Sequence, residues 1–374
     1  MHNLLIGNGI NIQFNKKDYT TQAIVLRILQ ELDESDFPTH IIIDKPLLLK
    51  KYMGILFLHA RNAIDGSLND ATTCLIEKIA LADFIDRYKD KKNSLRITDI
   101  GFEDYYLIHD LFCHKFGITN PEEFVIRETL RFSYLYAIYN HGKLNLLHNQ
   151  YSNSFKEFLN SFDNIFTTNY DSNIESAIGK EIFHIHGQFD RLSETYNPNS
   201  FRNQLKDKPM EDMELDLNYS YIYSTAISTY CGSYKQYSIK QNTVANNIIT
   251  DLANMYLNNQ SAKSDFDKWE QDSNLLTSNL ANAIKLKAAN SELSFQEYYP
   301  IKELKEITGS LIILGLSPYN DYHLFDIIDN ACIDECIYYF FSPNEKIKVE
   351  SRFPKLKKSQ KLKLTNVQDF WRTM

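Results

Sequence analysis

The sequence predicts an α/β protein in which one parallel sheet carries two large helical insertions. Short, continuous apolar runs are the first sign: Leu4-Leu5-Ile6, Ile165-Phe166, Ile182 to Ile185, Leu311 to Leu314 and Ile337 to Phe341 each end in glycine or a polar loop. That is how strands buried on both faces read. Segments of helical spacing separate these runs, and strands alternating with helices pair in parallel through right-handed crossovers. The third sign is size: 374 residues with 43% hydrophobic and 13% aromatic content can bury a sizeable core.

In chain order, the first strand breaks into Gly7-Asn8-Gly9-Ile10-Asn11, and Thr20 to Leu32 follows with Ile24, Ile28 and Leu32 on one helical face. A strand, a glycine turn and a helix place backbone N–H groups where a pyrophosphate could sit. The complete GxGxxG spacing is absent, and a tight strand-to-helix turn with no ligand has the same form; both readings stand at this point. The sheet segment of about 1–45 includes a candidate strand at Ile41-Ile42-Ile43 and gives way to a helical insertion over about 46–160. The clearest helix start there is Asn120-Pro121-Glu122-Glu123, combining a cap, a first-turn proline and acids at the positive end, with a helix expected through Tyr139. His59, His109, His114, His141 and His148 show no HExxH spacing and read as surface or core histidines.

Residues 160–190 return to the sheet: a strand at Ile165-Phe166, the loop Thr167-Thr168-Asn169-Tyr170-Asp171, a short helix, and a second strand ending in His186-Gly187. A second, mostly helical insertion spans about 190–305, turn-rich at Tyr196 to Ser200 and periodic over Thr243–Leu257 and Phe266–Lys287. From about 308 to 374 the sheet resumes with Leu311 to Leu314, the loop Gly315-Leu316-Ser317, a helix over Leu324–Ile328 and a strand at Ile337 to Phe341 that ends in Ser342-Pro343-Asn344. Eight basic residues lie between Lys346 and Lys363. They read as a solvated domain edge, with a nucleotide or acidic partner as the alternative.

Charge and cysteine usage narrow the function classes. A formal charge of −8 and a pI near 5.7 argue against direct nucleic-acid binding or an anionic membrane surface. No run approaches the roughly 20 apolar residues of a membrane span, so a cytoplasmic protein is expected. Five scattered cysteines fit a reducing compartment. Cys332 and Cys336 are four apart and could share a helix face, but two buried core thiols are expected rather than half of a metal site.

Four of the loops, Gly7-Asn8-Gly9-Ile10-Asn11, Thr167-Thr168-Asn169-Tyr170-Asp171, His186-Gly187 and Gly315-Leu316-Ser317, are expected on one sheet edge, with Ser342-Pro343-Asn344 as a fifth. In this order they resemble the sirtuin-like (silent information regulator) family, and in particular its bacterial antiphage branch, whose Rossmann-like sheet binds NAD. The first loop is also similar to that of abortive-infection H proteins. The resemblance implies cofactor contacts from Gly7, Asn8, Gly9, Ile10, Asn11, Thr168, Gly315, Ser317 and Asn344, and catalytic roles for Asn169, His186 and Asp171. Asn11 replaces the family's serine, no Phe-Arg pair follows the first loop, and the four-cysteine zinc module is missing. These departures count against protein deacylation more than against NAD cleavage.

The chemistry of the residues agrees with that implication. Cleaving the nicotinamide–ribose bond passes through a positively charged, oxocarbenium-like state, and catalysis then needs ribose orientation, a fixed water and proton removal. An asparagine amide offers donors and an acceptor to hydroxyls and water, which suits Asn169; a histidine can take a proton near neutral pH, which suits His186. Asp171 would orient its loop or favour the developing charge, and His184 is assigned a structural role. The expectation is an NAD hydrolase, with NAD as substrate and no metal, serving as the effector of an antiphage, abortive-infection system. Control is expected through homo-oligomers or a separate sensor such as a nucleotide-pyrophosphatase-like protein, a short Argonaute or an ATPase. The alternatives are a non-catalytic NAD or ADP-ribose binding module that signals by assembly, and an NAD-dependent deacylase or ADP-ribosyltransferase.

Overall fold

Six strands form one all-parallel sheet in the order β3-β2-β1-β4-β5-β6 in the computed structural model. The strands are β1 His2–Ile6, β2 Asn164–Thr167, β3 Phe183–His184, β4 Thr308–Leu314, β5 Cys332–Phe340 and β6 Leu362–Asn366. The structure describes every residue except 16, 33–45, 120–121, 207–214, 228–232, 296–298 and 320. The candidate strand Ile41-Ile42-Ile43 and the Asn120-Pro121 helix start therefore lie outside the described residues. β1 is central because its apolar residues are covered on both faces: Leu4, Leu5 and Ile6 are fully buried, and Leu4 sits opposite Ile165 of β2 and Ile312 of β4. Strand order reverses between β1 and β4, and ligands of open α/β sheets bind in the crevice outside such a switch point.

Between β1 and β2 run helices α1 Gly9–Phe14, α2 Thr21–Glu31, α3 Pro46–Ala63, α4 Leu75–Tyr88, α5 Phe102–Phe116, α6 Glu122–Tyr139 and α7 Asn153–Asn160. α8 Asn173–Ile178 joins β2 to β3. Between β3 and β4 lie α9 Phe201–Gln204, α10 Ser233–Asn258, α11 Gln260–Trp269, α12 Leu275–Ala289 and α13 Ile301–Lys305. α14 Tyr322–Asp329, α15 Pro343–Arg352, α16 Pro354–Lys358 and α17 Val367–Trp371 complete the chain. No helix among the described residues is long and apolar enough to cross a membrane.

Three elements differ from the sequence reading. A short additional helix, α1, starts at Gly9 itself, ahead of the expected one, which follows as α2. The periodic stretch Phe266–Lys287 is two helices, because Asn274 accepts a hydrogen bond from the Leu276 N–H and caps the second. The basic segment is, as read, a largely exposed edge of the domain: it forms α15 and α16 and leads into β6, an edge strand whose Lys363 pairs with Glu335 of β5. Cys332 and Cys336 sit on β5 rather than on a helix, and only Cys336 is buried.

The two sheet faces carry separate cores. Leu5, Phe166, Ile313 and Tyr338 pack with Leu324, Phe325, Val349 and Phe353 on one side. Leu4, Ile6 and Ile165 pack with Phe155, Leu159 and Phe370 on the other. A larger cluster fills the first insertion and also takes in Tyr221, Ile222, Tyr223, Ala226 and Ile227 from the second. Arg131 of α6 fastens that contact: paired with Glu128 at 2.9 Å, it donates to the carbonyls of Ala226, at 3.1 Å, and Ser224.

Candidate functional site

The site begins where β1 and β4 end side by side. Gly7 N–H donates to the Leu314 carbonyl at 3.0 Å and Gly9 N–H to the Gly315 carbonyl at 2.9 Å. A side chain on Gly7 would place its Cβ 2.4 Å from the Gly315 oxygen, and one on Gly9 would come within 2.6 Å of the Gly315 Cα. These glycines let two loops cross in van der Waals contact, and two of the N–H groups a pyrophosphate would use are already engaged. The His186-Gly187 pair has a similar explanation. Gly187 has φ +89°, and a Cβ there would lie 2.2 Å from the Thr225 carbonyl of the second insertion.

Above this junction the Thr167–Asp171 loop is held by a buried polar network. Asp171 accepts from Asn11 Nδ2 at 2.8 Å on one oxygen and from Asn173 Nδ2 at 2.6 Å and Asn173 N at 3.2 Å on the other. Burial pushes its carboxyl above the ordinary value, and these hydrogen bonds pull against that. Asp171 is thus a clamp between the first and second loops. His184, one strand position behind, bridges the Asn169 carbonyl at 2.9 Å and Glu175 at 2.5 Å. Burial disfavours its proton, yet the Glu175 hydrogen bond and charge, with the Asn169 carbonyl and Asp171, outweigh burial and raise its pKa. His184 fixes the backbone that presents Asn169.

The loops enclose a cavity of about 160 Å³ lined by Asn8, Asn11, Thr168, Asn169, Asp171 and His186, all six singled out from sequence. Asn169 is 7% exposed, and among the described residues its side-chain amide has no hydrogen-bond partner. Asn11 is 3% exposed, and its Oδ1 is buried without a partner. His186 Nε2 lies 3.6 Å from Asp321 Oδ1, and its ring stacks on His323 with centroids 5.6 Å apart. An amide, an imidazole and a carboxylate therefore line one cavity from three strand ends.

The other sequence-predicted residues are placed elsewhere. Gly7, Gly9 and Gly315 form the junction beneath the cavity, and Ile10 is buried in the sheet core. Ser317 accepts from Tyr319 N within its own turn at 3.3 Å, and Asn344 is exposed in the first turn of α15; neither lines the cavity. Sequence reasoning missed Tyr19, Thr21, Asp321 and a wall built by α5: Gly101, Phe102, Glu103 and Asp104. Glu103 and Asp104 follow a glycine at a helix start, so in sequence they read only as acids matched to a helix dipole. Arg87 and the Tyr88 hydroxyl hold Asp104, while Glu103 accepts from the Tyr170 hydroxyl at 3.4 Å. His109 is a core histidine, hydrogen-bonded to Tyr52 at 2.7 Å and lowered to about 4 by burial.

Among the described residues no three His, Cys, Asp or Glu side chains are grouped to hold a metal ion. No family model matches the chain, and no curated protein or solved structure matches it either.

Proposed function

We propose that the chain is an NAD hydrolase that cleaves the nicotinamide–ribose bond to give nicotinamide and ADP-ribose. The observation that carries this reading is the convergence of Asn169, His186 and Asp321 on one cavity at the switch point of a parallel sheet. The buried Asn11 Oδ1, unpartnered among the described residues, and the Asn169 amide that lines the same cavity fit a ligand rich in hydroxyl and amide groups, since a buried polar atom is costly to leave unmatched. A cavity of about 160 Å³ holds one end of a dinucleotide; clefts that enclose a whole drug-sized ligand run to roughly 300–1,000 Å³. With two glycine N–H groups engaged in the β1–β4 junction, the rest of the molecule would pass over the exposed Asn8.

In this reading the Asn169 amide orients a ribose hydroxyl and the attacking water. Water adds to the ribose carbon as neutral nicotinamide leaves with the bonding pair, and the released proton passes to His186. Asp321 stands beside the His186 ring, 3.6 Å from its Nε2, the place a carboxylate takes in orienting a catalytic imidazole. Asp171 holds the loop and does not touch the reacting atoms. The biological role that accompanies this activity is depletion of NAD in an infected bacterial cell, controlled by assembly or by a separate sensor protein. Incubating the protein with NAD, alone and with candidate partners, and separating the products by chromatography tests it. Release of nicotinamide and ADP-ribose is expected; tight binding of NAD with no products would favour a signalling module instead.

A further inference from the structure

Residues 224–227 of the second insertion are gripped from two directions beside the site. From the first insertion, Arg131 of α6 donates to the carbonyl of Ser224 and, at 3.1 Å, to that of Ala226. From the sheet, the turn that follows His186 closes on Thr225. Gln188 N–H donates to the Thr225 hydroxyl at 3.0 Å, that hydroxyl donates to the Gln188 carbonyl at 3.3 Å, and Thr225 N–H donates to the Arg191 carbonyl at 2.8 Å. The same turn reaches the other loop of the site, since Phe189 N–H donates to the Tyr170 carbonyl at 3.0 Å. Thr225 is 5% exposed and does not line the cavity. Two residues on, Ile227 holds φ +52°, a left-handed conformation that a β-branched residue adopts only where its surroundings impose it.

Gly187 leaves the peptide after His186 with little local restraint, so the direction of the imidazole has to be set by contacts beyond the turn. The Thr225 hydroxyl supplies two of them, both to backbone groups. We infer that Thr225 is a positioning residue for His186: its hydroxyl fixes the turn behind the imidazole, and Arg131 fixes the segment that carries Thr225, so the docking of both insertions sets where the imidazole stands against Asp321. A shift of either insertion thereby reaches His186, and through Phe189 the Asn169 loop, without touching the cavity. This rests on the reading of His186 as the proton acceptor of the proposed hydrolysis.

The test uses the full chain and two readouts, with melting temperature as the check on folding. One is kcat and KM for NAD cleavage, alone and with candidate partners. The other is the His186 ring signal in the magnetic resonance spectrum of histidine-labelled protein, assigned with His186→Gln. Thr225→Val keeps the outline of the side chain and removes the hydroxyl; it is expected to lower kcat about 10–10²-fold, leave KM within about twofold and move the His186 signal while that of His109 stays. Thr225→Ser keeps the hydroxyl and should bring kcat back to within about threefold of wild type, with the His186 signal restored. A Thr225→Val variant whose His186 signal is unmoved, or whose kcat stays within about twofold of wild type, overturns the inference and leaves the proposed hydrolysis standing. Equal losses in Thr225→Ser and Thr225→Val also overturn it, because they mark packing rather than the hydroxyl. If Thr225→Val does not fold, Thr225→Cys, of similar size but with only weak hydrogen-bonding power, decides by the same readouts. A wild type that cleaves no NAD removes the proposed function, and the His186 signal then decides the positioning by itself: moved in Thr225→Val and restored in Thr225→Ser supports it, and unmoved overturns it.

Discussion

Asn169 and His186 reach the cavity from different loops, and neither side chain is among the bonds that clamp the Thr167–Asp171 loop. His184 and Asp171 do that instead. Asn169→Ala and His186→Ala are each expected to lower NAD cleavage about 10²–10⁴-fold with the melting temperature nearly unchanged, the cost of losing a positioned acid–base or orienting group. Turnover close to wild type in either variant would remove that residue from its role. Asp321→Asn should reduce kcat more than it raises KM, since Asp321 acts through the His186 ring; an effect on KM alone would make it a binding residue. His184 governs stability rather than chemistry. Its pKa in the fold lies above the ordinary 6.5, so its contribution is complete below pH 6.5 and is lost as the pH rises through the folded value. A melting temperature that falls over this window in the wild type and loses that dependence in His184→Gln is the expected result.

At the level of elements, two contacts decide how the insertions meet the sheet. The strand end at Gly187 accepts the second insertion only because no side chain stands between it and the Thr225 carbonyl. Gly187→Ala should cost about 1–3 kcal/mol in urea unfolding, the range for a side chain forced into a left-handed backbone, and should reduce activity by moving His186. The Arg131–Glu128 pair joins α6 to the Ser224–Ala226 backbone from a fully buried position. Arg131→Leu should destabilise by about 3–5 kcal/mol, because Glu128 would be left as an uncompensated buried charge. A loss below about 1 kcal/mol would show the contact to be dispensable.

The whole molecule places an insertion helix in the wall of the cavity, so the position of α5 sets the shape of the site. A partner or a second copy that binds only one position of this insertion would shift the population toward it. The isolated chain is therefore expected to be weakly active or silent in NAD cleavage and to gain activity within an assembly. Turnover per chain that stays high and constant across dilution, with or without neighbouring gene products, would contradict this.

The apolar runs of β1, β2, β4 and β5 determined the sheet by themselves, because central strands of a parallel sheet are covered on both faces and must be apolar throughout. β6 escaped notice because an edge strand carrying Lys363 needs only one-sided burial and looks like its polar surroundings. Asn169 and His186 were legible for a related reason: polar residues directly after such runs fall at the carboxyl edge of the sheet, where ligands collect. The sequence also marked the glycines, but packing alone supplied their cause, the carbonyls of Gly315 and Thr225. Glu103, Asp104 and Asp321 joined the site only in the tertiary structure. Residues so far apart in the chain are brought together by the docking of whole helices, and local spacing carries no record of that geometry.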